Sequence, residues 1–210
     1  VVPPTVLRFV PLEEFRKYSP NVERTFPGAD QVLSVVQYWL NEVKVIADVY
    51  NPETFASDPV YARHIGQLNI FTDLIDHADS NAGNFLISRV APGARVFSID
   101  NGVAFASEES DRGKLWKDLR VDRLPADTVE RLRKITPEML HQSLGVIAQW
   151  QLQDGRYVPV PKGENISPNH GVRRKDDVLQ LGLRKNEIAK LERALEKLIE
   201  KIDEGDVKTF

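Results

Sequence analysis

Asp58-Pro59 opens the clearest periodic stretch of the chain, with Tyr61, Ile65, Leu68, Phe71 and Ile75 following at three- and four-residue steps. Asp can cap a helix and Pro suits its first position, so the spacing predicts a helix that buries this stripe. Its end delivers the chain to His77. Two apolar, β-branched runs follow, Phe85 to Val90 and Arg95 to Ile99, separated by Ala91-Pro92-Gly93-Ala94. Turn chemistry between such runs predicts a β-hairpin. Pro125-Ala126-Asp127-Thr128 and Thr136-Pro137-Glu138 each announce a further helix, the first carrying Val129 and Leu132, the second running through Leu144.

Elsewhere the pattern is more equivocal. Val32, Val35, Val36, Trp39, Val43 and Ile46 are apolar at mixed steps, which leaves helix and strand both open between Gln31 and Val49. Before them, Val1 to Val10 reads as a short extended segment and Pro11 to Gly28 as turn-rich. Glu108 to Arg120, with Trp116, reads as a charged, solvated connection. Residues 150–175 break the helical texture: Gln151-Leu152-Gln153, the Asp154-Gly155 turn and Arg156-Tyr157-Val158 predict a second hairpin, followed by a Pro- and Gly-rich loop. That loop ends in Arg173-Arg174-Lys175, which reads as solvated, with contact to an acidic substrate or phosphate as the alternative. From Glu187 to Asp203, Ile188, Leu191, Leu195, Leu198 and Ile202 define a last amphipathic helix. It is too short for a secure coiled coil, so packing within the chain is expected.

Composition narrows the function classes. The 210 residues are 41% hydrophobic and 28% charged, with a formal net charge of −3, an ordinary balance for one folded domain. The charge offers no case for binding nucleic acid or an anionic membrane surface, and no apolar run approaches a membrane span. No cysteine is present, which excludes disulfides and thiol chemistry and fits a reducing compartment, the cytoplasm being favoured and export left open. His64, His77, His141 and His170 lack zinc-ligand spacing. The single Met is Met139 and the chain opens Val1-Val2-Pro3, so residues are expected upstream of Val1.

The candidate chemistry lies between Leu74 and Phe105. His77-Ala78-Asp79 followed by Asn84 fits H-x-D-x-x-x-x-N, in which the Asp orients or deprotonates a hydroxyl and the Asn holds Mg²⁺. A second Asp opens Asp100-Asn101-Gly102. An antiparallel hairpin sets its first and last residues side by side, with strands roughly 5 Å apart, which places Asn84 next to Asp100. Two oxygen donors without a Cys or paired His suit a hard cation, Mg²⁺ or Mn²⁺, that keeps other positions for phosphate and water. The plainer reading makes Asp100-Asn101-Gly102 a strand-ending turn. For His77, a buttress to a backbone carbonyl is preferred over proton transfer.

On these residues the chain resembles the atypical kinases related to phosphatidylinositol 3- and 4-kinases and the Four-jointed secretory kinases, particularly their bacterial relatives. The likeness extends from Val2-Pro3-Pro4-Thr5-Val6 and Gln37-Tyr38-Trp39-Leu40 through Asp79-Ser80-Asn81-Ala82-Gly83-Asn84 and Asp100-Asn101-Gly102. It continues in Ile135-Thr136-Pro137-Glu138 and from Asn186-Glu187-Ile188 to Glu204-Gly205. It implies an α+β, mostly helical, kinase-like C-lobe with a metal-binding β-hairpin. Residues 1–50 would be a hinge-proximal end of the N-lobe and 51–210 the C-lobe, with a catalytic loop at 77–84, a DFG-like segment at 100–102 and an insertion at 150–175.

The resemblance also implies ATP with Mg²⁺ or Mn²⁺, Asp79 as the catalytic residue, and Asn84 and Asp100 on the metal. His77, Asn81 and Gly102 would support them. Val35 to Leu40 would be the strand leading to a hinge, with Gln37, Trp39 and Leu40 near adenine. The phosphate-binding Lys and Gly-rich loop would lie upstream, so this stretch alone should bind ATP weakly. The basic residue usual after the loop Asp is Ser80 here. Expected activity is phosphoryl transfer to a hydroxyl of a protein, lipid or small molecule. A non-catalytic pseudokinase, or a kinase-like enzyme transferring another group from ATP, is the alternative.

Overall fold

The computed structural model describes residues 2–45, 49–77, 82–89, 92–106 and 121–210. In chain order they form β1 (Thr5–Pro11), α1 (Leu12–Phe15), β2 (Gln31–Gln37), β3 (Val43–Val45), α2 (Pro52–Ser57) and α3 (Pro59–Leu74). Next come β4 (Phe85–Ser88), β5 (Val96–Ser98), β6 (Arg123–Leu124), α4 (Ala126–Leu132) and α5 (Pro137–Leu144). The remainder comprises β7 (Ala148–Gln153), β8 (Arg156–Pro159), β9 (Val172–Lys175), β10 (Val178–Leu181), α6 (Lys185–Asp203) and β11 (Lys208–Thr209). The chain is therefore mixed α+β, and with eleven strands among the described residues it carries more β-structure than a mostly helical lobe would. No helix among them is long and apolar enough to cross a membrane.

The contacts divide into two compact units. One consists of Val1–Pro3, Trp39–Ile135 and Ala189–Phe210, the other of Pro4–Tyr38 and Thr136–Ile188. This division follows different lines from 1–50 and 51–210.

In the first unit, β3, β4 and β5 make an antiparallel sheet in that order. Phe85 pairs with Ser98 and Leu86 with Phe97, so the hairpin expected around Ala91-Pro92-Gly93-Ala94 forms, with strands shorter than the apolar runs. Helix α3 starts as the sequence predicts: Asp58 Oδ1 accepts from the backbone N–H groups of Val60 and Tyr61, both at 3.0 Å, and Pro59 sits in the first turn. Its buried surface is wider than the predicted stripe. Tyr61, Ile65 and Leu68 are buried as expected, but Ala62, Gly66, Asn69, Ile70 and Thr72 are buried too, while Phe71 and Ile75 remain half-buried. Neighbours explain the extra coverage. A Cβ on Gly66 would stand 2.7 Å from Pro125 Cδ, and Asn69 Oδ1 accepts from Val121 N–H at 3.1 Å, which satisfies a polar group inside the core. Tyr61, Ile65, Leu68, Phe85, Val96, Leu124 and Leu198 build that core. Each fully buried large apolar side chain contributes about 1.5–3 kcal/mol.

Asp58 does a second job. Its Oδ2 accepts from Gly93 N–H at 2.5 Å, so one carboxylate caps α3 and also holds the turn between β4 and β5. The Gly93 bond, followed by that from Tyr61, lowers the Asp58 pKa below its ordinary 3.8. A depressed carboxylate contributes stability that is complete above its unfolded value and lost as pH falls through the folded one. Asp58→Asn should therefore lower the urea midpoint at neutral pH and remove part of the decline below pH 4 seen in wild type. Equal midpoints for the two proteins at pH 7 would count against the dual role.

In the second unit, β1 and β2 pair antiparallel from Thr5↔Gln37 to Pro11↔Gln31, which resolves the ambiguous Gln31 region as strand. The strand stops at Gln37, so Val35 to Leu40 is not one strand. A four-stranded sheet runs β8-β7-β10-β9. Asp154 and Gly155 take φ of 47° and 73° in the β7–β8 turn, the left-handed pair that a two-residue hairpin requires. Phe9 stacks on Tyr157 at 4.8 Å and meets Trp150 edge-on at 5.4 Å, forming with Leu179 an aromatic core.

The basic triplet departs from its solvated reading. Val172–Lys175 is strand β9, paired to β10, and Arg173 is only 2% exposed. Its guanidinium donates to the carbonyls of Ser167 at 2.9 Å, Leu183 at 2.7 Å and Gly145. Arg174 and Lys175 remain exposed. The last helix begins two residues before the predicted Glu187. There the Glu187 carboxylate accepts from Arg184 backbone N–H at 2.7 Å, half of a capping box, and Ile188, Leu195 and Leu198 of its apolar stripe are buried.

Candidate functional site

The β4–β5 hairpin determines where the candidate ligands fall. Continuing the pairing of Phe85 with Ser98, Ile99 N–H donates to the Asn84 carbonyl at 2.9 Å, so Asn84 stands opposite Ile99 and Asp100 is the next residue. The hairpin thus brings Asn84 and Asp100 to one end of the sheet, offset by one position from direct opposition. Asn84 is 9% exposed, whereas Asp100 is exposed. Among the described residues the Asp100 carboxylate makes no hydrogen bond or ion pair.

His77 is 1% exposed and ties the two segments together. Its backbone N–H closes α3 on the Thr72 carbonyl at 3.2 Å, and its Nε2 lies 3.2 Å from the Asp100 carbonyl. A carbonyl can only accept, so Nε2 is the donor in this contact. Nδ1 is buried and has no partner among the described residues. This is the contact a buttressing histidine makes. Asp79 and Asn81 lie outside the described residues, as do Ser80 and the whole segment from Glu108 to Arg120, Trp116 included.

Backbone strain gathers at the same place. Asp76, Asp100 and Phe105 hold φ of 44°, 53° and 61°. Of the three other non-glycine residues with positive φ, Asp154 and Asp176 sit in hairpin turns, where such angles are ordinary, and Glu42 immediately precedes β3. A left-handed residue costs roughly 1–2 kcal/mol, less for Asp, and persists where its surroundings hold it. The holding contacts are visible: Phe105 N–H donates to the Ile75 carbonyl at 2.5 Å and Lys190 Nζ donates to the Phe105 carbonyl at 2.5 Å. Asn101 is engaged as well, its Oδ1 accepting from Ser98 Oγ–H at 2.6 Å. At Gly102 a Cβ would stand 3.8 Å from Asp100 Oδ1, an ordinary contact, so space does not demand glycine there.

Gln37 ends β2 in the second unit, while Trp39 and Leu40 fall in the first, Trp39 being 83% exposed. Among the described residues no three His, Asp or Glu side chains converge as a metal site. Asn84 and Asp100 are two oxygen donors, a pair whose chemistry would suit Mg²⁺ or Mn²⁺ and not zinc. Sequence reasoning did not find the contribution of Asp76, Phe105 and Lys190. Lys190 carries the one signal available, a cation on the flank of an amphipathic helix. Comparison with protein-family models, curated proteins and solved structures finds no match.

Proposed function

We propose that this chain carries a kinase-like phosphoryl-transfer site built on the C-lobe pattern that its motifs resemble. The observation that supports the reading best is Asp100. Its backbone is kept in a left-handed conformation, its carbonyl is bonded to buried His77, and its carboxylate is exposed, close to Asn84 and without a partner among the described residues. A side chain so placed does nothing evident for the fold, and its geometry suits a cation brought by ATP. In this reading Asn84 and Asp100 would hold Mg²⁺ or Mn²⁺, which would neutralise charge on the nucleotide phosphates. Asp79, on the loop between His77 and Asn84, orients the acceptor hydroxyl or takes its proton. Catalysis is then positioning and charge neutralisation. Ser80, standing where a basic residue is usual, favours the second reading, a pseudokinase that binds nucleotide without turnover.

Asp79→Asn separates the two. It should lower phosphoryl transfer by about 10²–10⁴-fold and leave the thermal shift with ATP and Mg²⁺ nearly unchanged, because Asp79 acts on the acceptor and not on the metal. Wild type that binds ATP with Mg²⁺ yet transfers phosphate to no acceptor, itself included, would establish the pseudokinase. Equal thermal shifts for ATP with metal and ATP with chelator would remove both.

A further inference from the structure

A groove of about 280 Å³ lies between the end of α3 and one flank of α6, within the first unit. Lys190, Arg193, Lys197 and Lys201 line one wall, and Asp73 and Asp76 the other. The four cations recur at steps of three and four residues, so they share one helix face, flanked on one side by Glu192, Glu196 and Glu200. Like charges at these spacings repel one another along α6. Among the described residues Arg193, Lys197 and Lys201 make no ion pair, although Glu196 and Glu200 lie three residues beyond Arg193 and Lys197. Lys190 is spent on the Phe105 carbonyl, and Asp76 directly precedes His77, so the groove opens beside the candidate loop.

We infer that this groove binds a phosphate-bearing polyanion through Arg193, Lys197 and Lys201. From Arg193 to Lys201 the helix rises roughly 12 Å, too far for the three cations to converge on one monoanion, so the ligand carries several charges along its length. Exposed ammonium groups act as point charges, which suits phosphate oxygens of varied geometry. That the ligand is the phosphoryl acceptor, or is tethered to it, rests on the function proposed above; the binding does not.

Isothermal titration with tripolyphosphate in chelator, and co-sedimentation with phosphatidylcholine vesicles with or without phosphatidic acid, test the inference on the full chain. Saturable binding should weaken about tenfold or more in the Arg193→Ala/Lys197→Ala/Lys201→Ala protein and fall with added salt. The melting temperature of this variant should hold or rise, since exposed like charges are removed. Binding to tripolyphosphate alone marks a soluble ligand, binding to phosphatidic acid vesicles alone a headgroup, and either supports the site. Asp100→Asn should bind tripolyphosphate as wild type does, whatever happens to ATP binding, so failure of the nucleotide site and failure of the groove read out separately. No saturable binding, equal affinity in the triple variant, or equally tight binding of an oligoglutamate peptide would overturn it.

Discussion

Asp100→Asn should abolish the metal-dependent part of ATP binding while leaving the fold intact. Asn matches Asp in shape and tolerates the left-handed φ of 53°, so the backbone and the carbonyl that meets His77 should stay in place. What goes is the one full negative charge beside neutral Asn84, and a lone pair of amide oxygens attracts Mg²⁺ poorly. The affinity for ATP in Mg²⁺ should fall at least about 10–100-fold. Because Asp100 is exposed and its carboxylate has no partner among the described residues, stability in chelator should change by no more than about 0.5 kcal/mol. The pairing of these two measurements gives the test its force. If Asp100 only ends a strand, both proteins show the same thermal shift with ATP and metal, and the cation assignment at this site is lost.

Capping and turn chemistry made much of the fold legible. Asp58-Pro59 and Thr136-Pro137 start helices where they were expected, because an N-cap side chain bonds to backbone within three residues and needs no distant partner. The Asp154-Gly155 turn is local in the same sense. Segments whose structure depends on remote chain were not legible. Val32, Val35 and Val36 became strand by pairing with Val10, Leu7 and Val6, and nothing near them in sequence announces β1 as the partner. Asn69 and Gly66 look misplaced on a helix until Val121 and Pro125 pack against them. The candidate site divides likewise. Spacing alone brought Asn84 and Asp100 to one end of a hairpin, since register follows from the turn. The strain at Asp76 and Phe105, and the bond from His77 to Asp100, are tertiary and leave no mark in the motif.

Arg173→Met should be among the most damaging single changes in the second unit, although the sequence around it reads as a basic surface loop. The guanidinium bonds to three carbonyls, those of Ser167, Gly145 and Leu183, and so binds the loop before β9 to the turn after α5 and the segment after β10. Burial lowers its pKa from the ordinary value, with the charge of Glu187 opposing, so the ion is kept inside by its bonds and not by hydration. Met conserves much of the volume but leaves three acceptors without their donor, at about 1–3 kcal/mol for each that water cannot reach. The expected loss is about 3 kcal/mol or more. Lys would keep the charge but not the planar fork that spans all three carbonyls, and should recover only part of it. The close approach is tight on the other side too: a Cβ on Gly182 would collide with the Gly145 carbonyl and stand 2.9 Å from an Arg173 guanidinium nitrogen. Urea denaturation of Arg173→Met beside Lys175→Ala decides the matter. Lys175 is exposed on the same strand, and its loss should cost no more than about 0.5 kcal/mol. Similar midpoints for the two variants would mean that Arg173 is a surface cation after all and that the loop is held by other contacts.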